Sequence, residues 1–455
     1  MIQIDAYGEW AWLNEAIFRF NAENTEYNIN VTLINSLDQS TADMNEKLQE
    51  RMLYNAHPDI IFTTTAISFD DYFDKNVFLD VAPYFADDLL GCITECASWG
   101  GKLYELPMSF WFSSFVSLEG TVDGALTWEA FYEIVDSLAD GELLTTDSDT
   151  VERIYDNGIM DFFDRQAKTA SYDSTAFRSM VRYTAAMGDL IDENAGYLTG
   201  QSDGTWGYTN TTLPARIAGG GVKLVNVDMT RLDRLVSLKL LFGDDGFDWC
   251  GYPSNDGGGA YIHPMLRMLV LSDTDVQAGC LAFLEYLLSD EWQCADSLMY
   301  LPVTKRAVRK QLTDSRYWYM NADDYDAIGD PNAVLQAPSM HLGRGDPVGY
   351  INLTPDYASA EPLDTDAYTD TFTYTDPATG ETTVYTSTAY WEIVLTDAEI
   401  DEFLDFLDNC HMKSGTDTTV QTIVEEELSY WENGVRTLEE TTKIIQSRVW
   451  IYLNE

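Results

Sequence analysis

The stretch Gly101 to Glu119, GKLYELPMSFWFSSFVSLE, constrains the fold more than any other part of the chain. It opens on the turn Gly100-Gly101 and runs some eighteen residues through apolar and aromatic side chains to Leu118. An ordinary strand has roughly 5–6 residues. Pro107 lies inside the stretch and cannot donate to a sheet ladder, which argues against one continuous central strand. The expectation is two shorter strands joined at Pro107 to Ser114, where the chain leaves one domain and enters another. Residues at such a crossover line the mouth of a cleft between domains, where small-molecule sites form. Phe110, Trp111 and Phe112 fall there; buried strand core is the competing place for each ring.

At 455 residues the chain exceeds what one hydrophobic core supports, so two or more domains are expected. With 45% hydrophobic and 13% aromatic residues, it has the composition of a folded globular protein. Seventy-six acidic side chains against 26 basic ones give a formal net charge of −50. Such a field repels nucleic acid and anionic membrane surfaces, disfavours anionic ligands and keeps copies apart, so a monomer with no nucleic-acid partner is expected. The six cysteines (Cys92, Cys96, Cys250, Cys280, Cys294 and Cys410) form no C-x-x-C, and there are only four histidines. Cys92 and Cys96, four apart on an expected helix, admit a strained bridge or a weak metal pair; buried free thiols are the better reading. No metal and no cofactor is expected. No run of about 18 apolar residues occurs, so no membrane-spanning helix is expected. No signal peptide is visible. Met1 stands directly before a strand pattern, and the expectation is that a leader has been removed.

Read in order, Ile2 to Tyr7 alternates and ends at Gly8 as a first strand. Trp12 to Phe20 repeats at helical spacing, and a second strand covers Ile29 to Ile34. A helix at about Thr41 to Tyr54 precedes a buried third strand, Asp59 to Phe62, and a helical stretch covers Phe69 to Asn76. This β-α-β-α-β order predicts a parallel sheet with right-handed crossovers. Ligands bind beyond the carboxyl ends of such strands, here Gly8 to Trp10 and Thr63 to Thr65. After the first crossing, Thr127 caps a helix to Leu138 with Ala130 as its third position. Helical patterns at Asp161 to Ala167, after an Asn157-Gly158 turn, and at Ser174 to Ile191 follow. A strand is expected at Val222 to Val227. Connector residues Gly251 to Gly259 lead into a strand at Met268 to Ser272. A periodic helix spans Asp275 to Gln293, Pro302 marks another crossing, and a basic helix runs from Lys305 to Gln311. Asn321 to Tyr390 is poorly patterned, with a hairpin around Thr375 to Glu381. Three helices close the chain: Ala398 to Leu407 capped by Thr396, Val420 to Tyr430, and Leu438 to Leu453.

This order of segments resembles the extracellular solute-binding proteins (family 1) of ATP-binding-cassette importers, the group of maltose- and oligosaccharide-binding proteins. The residues that carry the resemblance include FNAEN (Phe20 to Asn24), HPDIIFT (His57 to Thr63) and FDKNVFLDVAPYF (Phe73 to Phe85). GKLYELPMS (Gly101 to Ser109), LTWEAFYEI (Leu126 to Ile134), CLAFLEYLLSDEWQ (Cys280 to Gln293), LPVTKRAV (Leu301 to Val308) and the tail from Glu425 to Glu455 continue it. The resemblance implies an α/β, two-lobed periplasmic-binding-protein-like fold. Each lobe would be a mostly parallel sheet flanked by helices, with a cleft between the lobes. The expected division is 1–112 and 256–302 in lobe one, and 113–255 and 303–455 in lobe two with the C-terminal helices. A secretion leader, often lipid-bearing, is implied as well, which would make this an extracellular lipoprotein.

Sugar binding needs flat aromatic faces against C–H surfaces and side chains that hydrogen-bond hydroxyls. The positions matching the family's ligand loops are Glu9, Trp10, Thr63, Thr64 and Trp111. Trp206, Tyr208 and Tyr252 join them because these aromatics lie in Gly-rich loops. Packing or plain surface exposure competes at each. Gly200-Gln201-Ser202-Asp203-Gly204 has the letters of a nucleophile elbow but loop on both sides, so no catalytic residue is assigned. Arg344-Gly345-Asp346 is a chance tripeptide. The Asp-rich strings near Asp147 and Asp364 lack the glycine and terminal Glu of a calcium loop. Asn210-Thr211-Thr212 is a glycosylation acceptor only in a eukaryotic secretory pathway. The expected function is capture of a sugar or oligosaccharide by hinge closure and delivery to a membrane permease, without enzymatic activity. The alternatives are a ligand-sensing surface protein and, further off, a glycoside hydrolase with two facing carboxylates.

Overall fold

A computed structural model describes residues 1–8, 10–34, 41–53, 58–63, 67, 69–122, 126–139, 142, 144–145, 149–186, 198–200, 206–208, 217, 219–242, 246–255, 257, 259–314, 317–321, 361–362, 369–375, 382–409, 412–414 and 417–454. Among these residues the main sheet has nine strands. They are β1 (Ile2–Tyr7), β2 (Ile29–Leu33), β3 (Ile60–Thr63), β4 (Leu106–Leu118), β5 (Val225–Met229), β6 (Phe247–Trp249), β7 (Ala260–Val270), β8 (Leu301–Pro302) and β9 (Met412–Ser414). The path runs β5-β4-β7-β3-β1-β2, with β6 and β8 also on β4 and β9 on β7.

The β-α-β start is as its alternation predicts, with β1 parallel to both β2 and β3. From β3 onward the pairings with β7, β4, β5, β6 and β8 are antiparallel. The expected break in the long stretch does not occur. Leu106–Leu118 is one strand of 13 residues, and Pro107 stands second in it, where a missing ladder donor disturbs the pairing least. The strand at Met268 to Ser272 is likewise only the end of an 11-residue strand, Ala260–Val270. These two long strands draw both halves of the chain into one sheet.

Alternation then sorts the side chains. One face, with Ile4, Phe62, Met108, Phe110, Phe112, Ile262 and Met268, lies on a continuous core. Fully burying one side chain of this size stabilises by about 1.5–3 kcal/mol. The opposite face carries two separate cores. At one end Tyr7, Ile61, Phe69, Phe78 and Leu269 pack together. At the other, Phe115 and Tyr261 pack with Trp128, Phe131, Tyr172 and Val424. Between them, among the described residues, a gap separates the two cores, and Trp111 of β4 and His263 of β7 belong to neither.

The helices around this sheet follow their sequence signals, with three corrections. Thr127 Oγ1 accepts from the Ala130 amide at 3.2 Å and caps Trp128–Ser137. Thr396 and Glu399 cap Asp397–Asn409 reciprocally. Asn157-Gly158, expected as a turn, is instead inside a helix, Asp149–Met160. A Cβ at Gly158 would sit 3.0 Å from the Trp128 ring, so glycine serves close packing there, not chain reversal. The helix expected at Asp161 to Ala167 is replaced by a small hairpin, Phe163–Asp164 with Thr169–Ala170. Asp275 to Gln293 divides into Gln277–Leu287 and Asp290–Gln293, because Ser289 is extended. The poorly patterned region forms a second, antiparallel sheet from Tyr317–Asn321, Glu361–Pro362, Thr369–Thr375 and Thr382–Val394. Thr375 pairs with Thr382, as the expected hairpin requires, while its turn lies outside the described residues. Among the described residues no disulfide forms: Cys92, Cys250 and Cys280 are buried thiols and Cys96 and Cys294 half-buried ones, while Cys410 lies outside the described residues.

Candidate functional site

The gap on the second face is floored by the segments that run between the two smaller cores. Trp111 of β4 pairs with His263 of β7, and their rings stack at 3.7 Å with 8° between planes. On the other side Leu301 pairs with Phe110, which brings Tyr300 level with Trp111 at 6.4 Å and a 36° tilt. A row of three rings, His263, Trp111 and Tyr300, thus crosses the sheet, each half-buried. Tyr300 has φ 72° and Leu266 of β7 has φ 53°. Both are in the left-handed region that bulky residues rarely adopt, so backbone strain is concentrated where the chain crosses the gap. Burial, the largest influence on His263, pushes its pKa down to about 4; Arg153 acts the same way and Asp228 opposes. The imidazole is therefore uncharged at neutral pH.

Beside the rings lies a polar network. Ser113, two residues along β4 from Trp111, donates its hydroxyl to Asp228 Oδ1 of β5 at 2.6 Å. Arg153, from the helix Asp149–Met160, donates to the same oxygen and lies 3.5 Å from the Ser113 hydroxyl. The Arg153 and Asp228 side chains remain 33% and 29% exposed. Tyr252 OH donates to Asn226 of β5, and its ring lies 4.8 Å from Phe115.

A second polar row crosses the sheet nearer the carboxyl ends of the parallel strands. Thr63 of β3 pairs with Tyr7 of β1 and Arg267 of β7, and Arg267 with Pro107 of β4. Arg267 donates to Glu105 Oε1 at 2.5 Å and to the Ile67 carbonyl at 2.6 Å. Pro107 and Trp111 are four residues apart on one face, so the two rows are about 13 Å from each other at ~3.3 Å per residue. Between them lies Ser109, whose buried hydroxyl has no partner among the described residues.

The site residues read from the sequence divide accordingly. Thr63, Trp111 and Tyr252 are brought to one face of the sheet, Thr63 and Tyr252 buried beneath it and Trp111 half-exposed. Trp10 is the extended residue before the helix Ala11–Glu23 and packs against the continuous core. Trp206 and Tyr208 lie on a strand paired with Leu198–Gly200, apart from the main sheet. Glu9 and Thr64 lie outside the described residues. Arg153, Ser113, Asp228, His263 and Tyr300 were not read from the sequence. Asp228 had a signal, since VKLVNVDM alternates and puts an acid on the polar face of a strand. Arg153 had none, because the helix that carries it was taken for a turn at Asn157-Gly158.

No family model matches the chain, and no curated protein does. Solved structures match along nearly all of it. An extracellular solute-binding protein of family 1 from Alicyclobacillus acidocaldarius is 12% identical with a TM-score of 0.52, covering 100% of this chain and 98% of its own. The cyclic alpha-maltosyl-1,6-maltose binding protein of Arthrobacter globiformis is 11% identical with a TM-score of 0.51, covering 99% and 98%. The sugar-binding protein MalE of Xanthomonas citri is 11% identical, with a TM-score of 0.51 and coverage of 100% and 97%. The chain has the mixed α/β fold of these proteins, and the resemblance read from its sequence is a resemblance of architecture. Among the described residues no helix is long and apolar enough to cross a membrane.

Proposed function

We propose that this chain is a binding protein that captures a carbohydrate in the gap over β4 and β7 and delivers it to a membrane importer. The observation that carries the reading is the half-exposed ring row His263–Trp111–Tyr300 beside the Ser113–Asp228–Arg153 network. Partly exposed aromatic rings and fixed hydrogen-bonding groups close together are what a sugar's C–H surface and hydroxyls require. The names of the Arthrobacter and Xanthomonas neighbours, both sugar binders, support the same class. The candidate residues Trp111, Thr63 and Tyr252 belong to this site in the proposal, and Glu9, Trp10, Thr64, Trp206 and Tyr208 are proposed as further ligand contacts.

Mechanistically, the segments through Trp111, His263 and Tyr300 act as the hinge, and the lobes are 1–112 with 256–302 and 113–255 with 303–455. Ligand closes the gap because it touches both sides at once, and only that differential affinity drives closure. The reading is non-enzymatic and places the protein outside the cell, held at the membrane by a lipid anchor, as a monomer facing a permease. A thermal-shift panel of sugars, amino acids, polyamines and metal ions tests it. A ligand at 100 times its Kd adds about 2.7 kcal/mol of stability. A shift by an oligosaccharide that Trp111→Ala removes is the expected result. No shift by any sugar, or a shift that Trp111→Ala leaves whole, would sink the reading. Release of smaller sugars during incubation would move it to a hydrolase.

A further inference from the structure

We propose that two hairpins, Ser98–Leu103 and Phe163–Ala170, form a clasp across the gap that holds its two sides together without help from a ligand. This goes beyond the saccharide reading and does not depend on which molecule fills the gap. The first hairpin turns on Gly100-Gly101, with φ 57° and 78°. Positive φ at both central residues defines a two-residue turn that glycine allows, and it leaves the Gly100 amide outside the hairpin's own pairing. A Cβ at either glycine would meet nothing within 4 Å, so the tip stands clear of its surroundings. The base of this hairpin is fixed to the core on its side. The Trp99 ring lies 5.5 Å from Phe73 and donates through Nε1 to Asp74 at 3.0 Å, and the Leu103 amide donates to Asp80 at 3.0 Å.

The second hairpin comes from the other side. Phe163 and Ala170 pack against the core that holds Trp128 and Val424, and the Ala170 carbonyl accepts from Gln446 of the helix Leu438–Asn454 at 2.9 Å. Its tip is set by Asp164 Oδ1, which accepts from the Ala167 amide at 2.8 Å, and by the Lys168 carbonyl, which accepts from Asn454 at 3.4 Å. Between these supports Gln166 reaches out, and its Oε1 accepts from the Gly100 amide at 3.0 Å. Both partners belong to the protein, so the bond forms whether or not the gap is filled. Each hairpin is braced on its own core, so the bond breaks when the two sides move apart. The clasp therefore tilts the balance toward the closed arrangement, and a ligand shifts what remains. Both residues are exposed, so water competes for the bond. The bias is about two- to tenfold, the net worth of one neutral hydrogen bond, and the gap can still reopen.

The test is amide hydrogen exchange in ligand-free protein carrying isotope-labelled glycine, read by NMR, together with small-angle X-ray scattering. The Gly100 signal is assigned by its loss in Gly100→Asn. Wild type is expected to exchange Gly100 more slowly than Gly101, its neighbour in the same turn, whose amide has no acceptor among the described residues. Gln166→Leu keeps the side chain's size and removes the acceptor. Gly100 exchange should then rise about two- to tenfold, and the radius of gyration should grow. Gln166→Glu keeps an acceptor, and a charged one, so neither quantity should rise. Melting temperatures show whether each variant is folded; should Gln166→Leu not fold, the wild-type contrast between Gly100 and Gly101 still decides. Equal exchange at the two glycines in wild type, or a radius unmoved by Gln166→Leu, overturns the clasp. No sugar enters either measurement, so the clasp and the saccharide reading fail separately.

Discussion

Replacing Gln293 by leucine should destabilise the protein by about 3–5 kcal/mol. Gln293 is fully buried and joins three segments near the crossings. Its Nε2 donates to the Met108 carbonyl of β4 at 3.1 Å and to the Leu287 carbonyl at 3.2 Å. Its Oε1 accepts from the Val303 amide, just past β8, at 2.9 Å. Leucine has nearly the same volume, so packing survives while one N–H and two carbonyls lose their partner in the interior. Each orphaned group costs about 1–3 kcal/mol, with the carbonyls at the lower end, which gives the sum stated. Urea unfolding followed by far-ultraviolet circular dichroism and tryptophan fluorescence measures the difference directly. A loss below about 1 kcal/mol would refute the reasoning, since it would mean these groups find other partners or water without penalty.

Three further perturbations read other parts of the structure. A Cβ at Gly91 would sit 2.4 Å from the Asp408 carbonyl oxygen, a backbone atom. Gly91→Ala must therefore push the helix Asp397–Asn409 away, at about 1–3 kcal/mol by urea unfolding; an unchanged stability would show that this contact is looser than described. Thr127→Ala removes the cap on the Ala130 amide and should cost about 1 kcal/mol in the same assay, whereas no loss would mean that solvent caps the helix equally well. His263 has a folded pKa near 4, below its ordinary 6.5, so its contribution is present above pH 6.5 and lost as pH falls toward 4. That loss is up to about 3 kcal/mol, and the pH dependence of unfolding should be shallower in His263→Gln by this amount; parallel profiles would contradict the burial that depresses the pKa.

What could be read from the sequence was whatever depends on local pattern. β1, β2 and β3 and the caps at Thr127 and Thr396 were visible because alternation and capping chemistry act within a few residues. The length of β4 was not, because Pro107 forbids a central strand only if its position within the strand is unknown. The helix Asp149–Met160 was hidden for a related reason. Asn-Gly reads as a turn until Trp128 is seen lying against Gly158, a contact that no spacing along the chain reveals. The candidate site suffered most from this. Trp111 could be placed at the crossing from the aromatic run alone, but its neighbours His263 and Tyr300 are set by the register of β7 and β8 on β4. The Ser113–Asp228–Arg153 network joins a strand, a second strand and a distant helix, so only tertiary pairing assembles it.

The most direct test of the central claim is a crystal structure grown with the sugar that gives the largest thermal shift. The account predicts a saccharide in the gap over β4 and β7, against Trp111 and Tyr300, with hydroxyls within hydrogen-bonding distance of Asp228 and Arg153. A sugar bound away from this floor, or seated there without contact to either the ring row or the Asp228–Arg153 pair, would contradict it.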